Sequence, residues 1–342
     1  MKKNTMKKLL ALACAGAMSV SLAACGNGNT DGGSSGEAGG DTVKIGILQY
    51  AQHPSLDNCH EGVIQGLAEA GYVEGENITI EFQNANGNTS DADMMAKTMV
   101  SSGCDMIIAI ATPAAMSAYA AAKDEGVPVI YSAVSDPVGA GLAKDLNDPQ
   151  TGASGTKDSL NLEGQMQMIR AMLPEAETIG ILYTTSEPNS VAHLQTFQEL
   201  APDYGFTIEA VGITNESEVA SGAAALVAKG VDCVNNFTDN NVVNNLSTLL
   251  HATDAANIPV FGSEEEQVRN GCVASESLDY VALGAETGRM AASVLSGEAD
   301  IMSLPVSVVA ESSPVYSTAN MAKFGITLPA DYSSAVDLDA EA

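Results

Sequence analysis

Val43-Lys44-Ile45-Gly46-Ile47-Leu48 reads as a buried strand, and its centre returns in the second half of the chain as Ile179-Gly180-Ile181-Leu182. Two further landmarks recur in the same order and at nearly the same spacing. Gly103-Cys104-Asp105-Met106-Ile107 is echoed by Gly230-Val231-Asp232-Cys233-Val234. Val127-Pro128-Val129-Ile130-Tyr131-Ser132 is echoed by Ile258-Pro259-Val260-Phe261-Gly262-Ser263. Between the first landmarks lie an amphipathic stretch at 55–70 with Val63, Ile64 and Leu67 on one face, a strand at 78–82 and a helical run at 92–100. Then come a continuous apolar run at 106–110, an Ala-rich helix at 114–122 and a strand at 127–131. An unbroken apolar run fits a strand covered on both faces, and strand–helix alternation at this spacing gives parallel sheets with right-handed crossovers. The expected fold is α/β: two similar doubly wound parallel-sheet domains joined by a hinge that the chain crosses more than once.

The chain has 342 residues, with 14 Lys and Arg against 43 Asp and Glu, a formal net charge of -29. Such a balance excludes a protein that works by neutralising phosphate, and also electrostatic docking on anionic lipid. Hydrophobic residues make up 45% and charged residues 17%, enough apolar material for packed cores. Residues 1–24 read as a signal peptide, with Lys2, Lys3, Lys7 and Lys8 before an apolar stretch at 9–22 too short to span a membrane. Leu22-Ala23-Ala24-Cys25 matches the bacterial lipobox, which makes Cys25 the expected lipidation site and cell-membrane anchor. Residues 25–42 are a Gly- and Ser-rich tether. Removing residues 1–24 takes away four Lys and no acid, leaving -33.

Of six Cys, Cys59, Cys104, Cys233 and Cys272 belong to the body, without a CxxC, and free buried thiols are expected at Cys104 and Cys233. Four His show no metal-ligand spacing with them, so neither metal nor cofactor is expected. The chain carries no GxGxxG after a strand, no Walker A, no G-x-S-x-G and no zinc pattern, which argues against an enzyme. Expected boundaries are an N-terminal lobe at 43–157 with about 279–330, a C-terminal lobe at 158–278 and an acidic tail at 331–342. Hinge segments are expected near 155–160, 278–282 and 303–313.

In open α/β sheets ligands bind at the carboxyl ends of strands. Here those ends carry small polar loops, at 49–57, 111–115 and 132–137 in one half and 184–190, 237–241 and 262–266 in the other. Several open a helix, some with Pro in the first turn, an arrangement that presents free N–H groups and a positive dipole end. Pro54-Ser55 and Pro188-Asn189-Ser190 fall at equivalent places in the two repeats.

His53-Pro54-Ser55-Leu56-Asp57, Ala111-Thr112-Pro113-Ala114-Ala115, Ser135-Asp136-Pro137 and Gly71-Tyr72-Val73-Glu74-Gly75-Glu76-Asn77-Ile78, with the lipobox and the duplicated body, resemble a substrate-binding lipoprotein of an ABC importer. The similarity is to the type I periplasmic-binding-protein fold and, more narrowly, to its tryptophan/tyrosine-type subgroup, over about 43–330. It implies an extracytoplasmic, lipid-anchored monomer that closes on an aromatic or apolar amino acid and delivers it to a permease with its ATPase. A nucleoside- or sugar-binding or sensory lipoprotein of the same fold is the alternative, although without Trp and with 4% aromatics a sugar-stacking platform is poor.

The residues can be asked separately whether an amino acid fits. None of the three Arg (170, 269, 289) lies in the cleft loops, which argues against a bidentate carboxylate clamp. Thr112 with the backbone at Ala114 and the next residue, or Ser186 with Asn189 and Ser190, could hold the carboxylate. Asp239 is the first choice for the ammonium, with Asp57, Asp136 and Glu264 as alternatives. Tyr50, Tyr131, Phe237 and Phe261 could form a side-chain pocket, and His53, Ser132 and Thr238 complete the polar set.

Overall fold

The structure, a computed structural model, describes residues 42–340; the signal-peptide reading, Cys25 and the tether up to residue 41 lie outside the described residues. The first lobe opens with β1 (Val43–Gln49), α1 (Pro54–Glu69), β2 (Ile78–Asn84), α2 (Thr89–Ser101), β3 (Met106–Ile110), α3 (Thr112–Ala122), β4 (Val129–Ser132) and β5 (Ala153–Asp158). The second holds α4 (Leu162–Met172), β6 (Thr178–Thr184), α5 (Pro188–Leu200), β7 (Thr207–Ile213), α6 (Val219–Ala228), β8 (Cys233–Asn235), α7 (Asn240–Asn244), α8 (Leu246–Ala255), β9 (Val260–Phe261), α9 (Glu265–Arg269) and β10 (Ala274–Ser277). The chain then returns to the first lobe for α10 (Tyr280–Leu295) and β11 (Ser307–Val309), and ends in β12 (Ser313–Tyr316), α11 (Thr318–Lys323) and β13 (Val336–Asp337).

The duplication is visible in the strand orders. The first sheet runs β11-β5-β4-β3-β1-β2 and the second β7-β6-β8-β9, both wholly parallel, with the same arrangement around β1 and β6. Gly46 and Gly180 sit at matching points of those central strands for one steric reason. A Cβ on Gly46 would lie 2.8 Å from Met99 Sδ of α2, and one on Gly180 3.0 Å from Leu226 of α6. The period of two along β6 sends Ile179 and Ile181 into one apolar cluster and Leu182 into another on the opposite face of the sheet. The four cysteines of the body are all free and buried.

Against the first lobe's sheet, α1 and α10 meet backbone to backbone. A Cβ on Gly66 would come within 2.0 Å of Ala285 O, and one on Gly284 within 2.1 Å of Cys59 O. Among the described residues no helix is long and apolar enough to cross a membrane.

The chain passes between lobes after β5, after β10 and between β11 and β12, close to the segments expected as hinges. One expected boundary is corrected. Residues 279–309 join the first lobe, but β12 pairs antiparallel with β10 and β13 pairs with β12, so the segment from 313 completes the second lobe. Nor are residues 331–340 a tail: Leu338 is buried in the second lobe's core, while Asp337 and Asp339 accept hydrogen bonds from Thr318 and Ser317 at the start of α11. Alternation of apolar runs reveals a strand, not the sheet edge it joins.

Candidate ligand-binding cleft

The facing loops are built from equivalent positions of the two repeats. His53 precedes Pro54 at the start of α1, and in the second repeat Glu187 precedes Pro188 at the start of α5. Neither side chain caps its own helix, and both are buried; His53 lines the cavity between the lobes. Asn240 lies between them, donating from Nδ2 to Glu187 Oε2 at 2.7 Å and from its backbone N–H to the same oxygen at 3.2 Å, and facing the His53 ring. Ala111-Thr112 at the head of α3 corresponds to Thr238-Asp239 at the head of α7, and Ala133 after β4 to Glu264 after β9. Ala111 (φ 80°) and Ala133 (φ 54°) occupy left-handed backbone that favours glycine. Such strain costs of order 1–3 kcal/mol per residue and gathers at binding sites, where it aims the backbone.

Together these loops enclose a cavity of about 20 Å³, room for about one water, lined by His53, Ala111, Thr112 and Ala133 on one side and by Asn189, Thr238, Asn240 and Glu264 on the other, with Asp158 and Tyr280 at the hinge. Around it lie buried polar atoms without a protein partner: His53 Nδ1, Asp158 Oδ1, Glu187 Oε1, Asn189 Oδ1, Thr238 Oγ1 and Glu264 Oε2. An orphaned buried polar atom costs about 1–3 kcal/mol, so a cluster of them marks a place that a polar ligand completes.

The electrostatics agree. Burial, reinforced by the neighbouring Asp239 carboxylate, pushes Glu187 up to about 8. Burial raises Asp158 to about 6 and lowers His53 below the usual imidazole value. His193, behind the cleft, is brought down to about 3 by burial and by Lys157.

Of the residues expected at the site, His53, Thr112, Asn189, Thr238 and Glu264 line the cavity, and Ala114 lies in the first turn of α3. The others are not part of that lining. Asp239 is the N-cap of α7, with Thr184 N–H on Oδ2 at 2.5 Å and Thr184 Oγ1 (2.8 Å) and Val242 N–H (3.1 Å) on Oδ1, and Ser190 also bonds it. It ties β6 to α7 rather than presenting a free oxygen. Tyr50 donates to Gly87 O at 2.8 Å and holds the loop after β2. Ser132 accepts from Thr287 of α10 at 2.9 Å, behind the cleft. Asp57 is exposed and accepts from Gln49 at 2.7 Å, Ser186 is exposed, and Asp136 accepts from Gly139 N–H in its own turn. Phe237 packs edge-on against Phe197, with centroids 5.2 Å apart, in the second lobe's core, where Phe261 is also buried; Tyr131 is buried in the first lobe's core. Sequence reasoning passed over Glu187, Asn240, Asp158 and Tyr280. Glu187 had a signal: it occupies the place of His53 in the second repeat, directly before a proline.

The family described as ABC transporter substrate binding protein matches residues 44–336. A tyrosine-binding protein of Clostridioides difficile is 36% identical over 310 residues, 90% of this chain and 89% of that one. An ABC domain from Streptococcus pneumoniae crystallised with L-Trp superposes with a TM-score of 0.83 at 34% identity, covering 86% of this chain and 98% of that one. The ligand-free, open structure of a substrate-binding protein with adhesive properties from Clostridium difficile, also 34% identical with the same coverage, superposes at 0.65. At equal identity the lobes here follow the ligand-bound relative more closely than the open one.

Proposed function

The chain belongs to the ABC transporter substrate binding proteins, and from that premise we propose that it captures an aromatic L-amino acid between its lobes and hands it to a membrane permease driven by an ATPase. The asymmetry of the cleft carries this reading. The second lobe offers acceptors with free oxygens, Glu187, Asn189, Thr238 and Glu264. The first lobe offers the start of α3, whose Thr112 and Ala114 N–H groups have no partner inside the helix, between the small residues Ala111 and Ala133. A ligand cationic at one end and anionic at the other satisfies both walls, its ammonium against the second lobe and its carboxylate at the positive end of α3. Relatives that bind tyrosine and L-Trp across nearly the whole chain support an aromatic side chain.

The family's work is binding, and the buried carboxylates and imidazole serve recognition in this reading. Contact with both lobes is possible only when they are closed, so the ligand shifts the population toward the closed form that the permease receives. Within the same proposal residues 1–24 are a signal peptide and lipidated Cys25 tethers a monomer to the outer face of the cell membrane.

Isothermal titration with L-tyrosine, L-tryptophan, L-phenylalanine, L-leucine, a nucleoside and a polyol tests the ligand class. Binding of one or more aromatic amino acids, at least tenfold tighter than leucine, is expected. Binding of the nucleoside or polyol with none of the amino acids would overturn it.

A further inference from the structure

Glu187 stands directly behind the cavity-lining Asn189 and Asn240, with one carboxyl oxygen unmatched. Its Oε2 is fully engaged by Asn189 Nδ2 (3.2 Å) and by the side chain and backbone of Asn240, while Oε1 is buried without a partner. The residue is 2% exposed. The charged group beside it is another carboxylate, Asp239, whose own oxygens are committed to Thr184 and Val242. From the other lobe Tyr50 faces the pair, and beyond Asn240 stands the His53 ring, which itself faces Glu264 and Asp57. With Tyr50 of the first lobe facing the pair, the acidic oxygen lies buried with no cation to meet it, and an isolated carboxylate in that position sheds its charge or keeps the lobes apart.

We propose that Glu187 makes a cationic head group a condition of closure: a proton on its carboxyl and the ammonium of a ligand are alternative occupants of one place. Closure without ligand takes one proton from solvent onto Glu187; closure on an ammonium ligand leaves Glu187 ionised and needs none. This rests on the amine-bearing ligand proposed above and identifies the residue that selects it.

The sign follows from linkage. Burial and Asp239 raise the carboxyl from its ordinary 4.5 to about 8; Asp239 belongs to the same lobe and acts whether the lobes are open or closed, so only the share owed to burial beneath the first lobe favours ligand-free closure at low pH, and that support is lost as pH rises through about 8. His53 works in the opposite sense, since burial lowers it from 6.5, but only below that value. Asp158, raised to about 6, also titrates below the window. Between pH 6.5 and 8 the closed-to-open ratio of the ligand-free protein should fall with rising pH, by less than tenfold per pH unit.

The test is a spin-label distance between Ser101→Cys on α2 and Ser221→Cys on α6, exposed positions on the two lobes, in the full-length protein. Without ligand, the short-distance population should shrink as pH rises from 6.5 to 8 and be restored at pH 8 by L-tyrosine or L-tryptophan. The des-amino acid of the same ring should fail to restore it. Glu187→Gln, neutral at every pH, should remove the pH dependence in this window and narrow the preference for amine over des-amino ligand at least tenfold. A wild-type ligand-free distance that is flat across the window would overturn the proposal without needing the variant. Equal closure by amine and des-amino ligands would do the same. If pH moves the lobes as expected but no amino acid does, the proton half stands and the amino-acid reading fails.

Discussion

Asp239→Ala separates a structural carboxylate from a ligand-binding one. The side chain satisfies two backbone donors, Thr184 N–H at the end of β6 and Val242 N–H in the first turn of α7, and accepts from Thr184 Oγ1 as well. The hydroxyl can turn elsewhere; the two N–H groups cannot. Each buried donor left unpaired costs about 1–3 kcal/mol, and relief of the repulsion with Glu187 offsets part of the sum. A net loss of about 3 kcal/mol is expected, a large share of the roughly 5–15 kcal/mol typical of a folded chain. With a urea slope of about 3 kcal/mol/M, suited to a protein of this size, the unfolding midpoint should fall by about 1 M. Urea titration followed by circular dichroism, with amino-acid titration on the protein still folded, reads both sides. An unchanged midpoint together with abolished binding would refute the argument and return Asp239 to the ligand.

Gly66→Ala adds a methyl 2.0 Å from Ala285 O; the helix-propensity gain of about 1 kcal/mol cannot offset a backbone clash, so the melting temperature should fall by an amount equivalent to about 2 kcal/mol or more. Ala111→Gly relieves φ 80° and should stabilise by about 1 kcal/mol after the entropy of glycine is deducted; a lower melting temperature would show that no strain is stored there. Asp158, raised from 3.8 to about 6, takes up a proton on folding, so it supports the fold below about pH 4 and that support, about 3 kcal/mol, is lost as pH rises through 6. Asp158→Asn should therefore raise the melting temperature at pH 8 but not at pH 4, and equal shifts at the two would count against a carboxyl whose burial outweighs its Tyr280 and Ser135 hydrogen bonds. Leu338→Ala should cost about 2–4 kcal/mol in calorimetry if the last strand is part of the core, and nothing if residues 331–342 hang free.

The duplicated scaffold was legible because its cause is local. Ile45-Gly46-Ile47-Leu48 and Ile179-Gly180-Ile181-Leu182 carry burial in their apolar runs and close helix approach in their glycines, and both show without knowledge of the partner. The site was legible to the level of loops. That His53, Thr112, Asn189, Thr238 and Glu264 line the cavity follows from their lying just past strand ends. Which acid keeps a free oxygen was not legible, since Asp239 and Glu187 are both acids next to a helix start. Only the direction of each side chain shows that Asp239 caps its own helix while Glu187 does not. The bonds that Tyr50 and Ser132 make were illegible for the same reason, reaching Gly87 and Thr287, far off in sequence. The acidic C-terminus looked like a solvated tail because charge masked Leu338 and the capping work of Asp337 and Asp339.

The last fifth of the fold has a consequence for the order of events in the life of the chain. The first lobe lacks α10 and β11 until residue 309 is available, and the second lacks β12 and β13 until residue 337. Neither lobe can be finished from a partial chain, and contacts this remote in sequence form slowly. A polypeptide emerging amino end first thus completes neither lobe before residue 309 has been made. Loss of even the final ten residues should leave the earlier-made second lobe, not the C-terminal tip, as the part that fails.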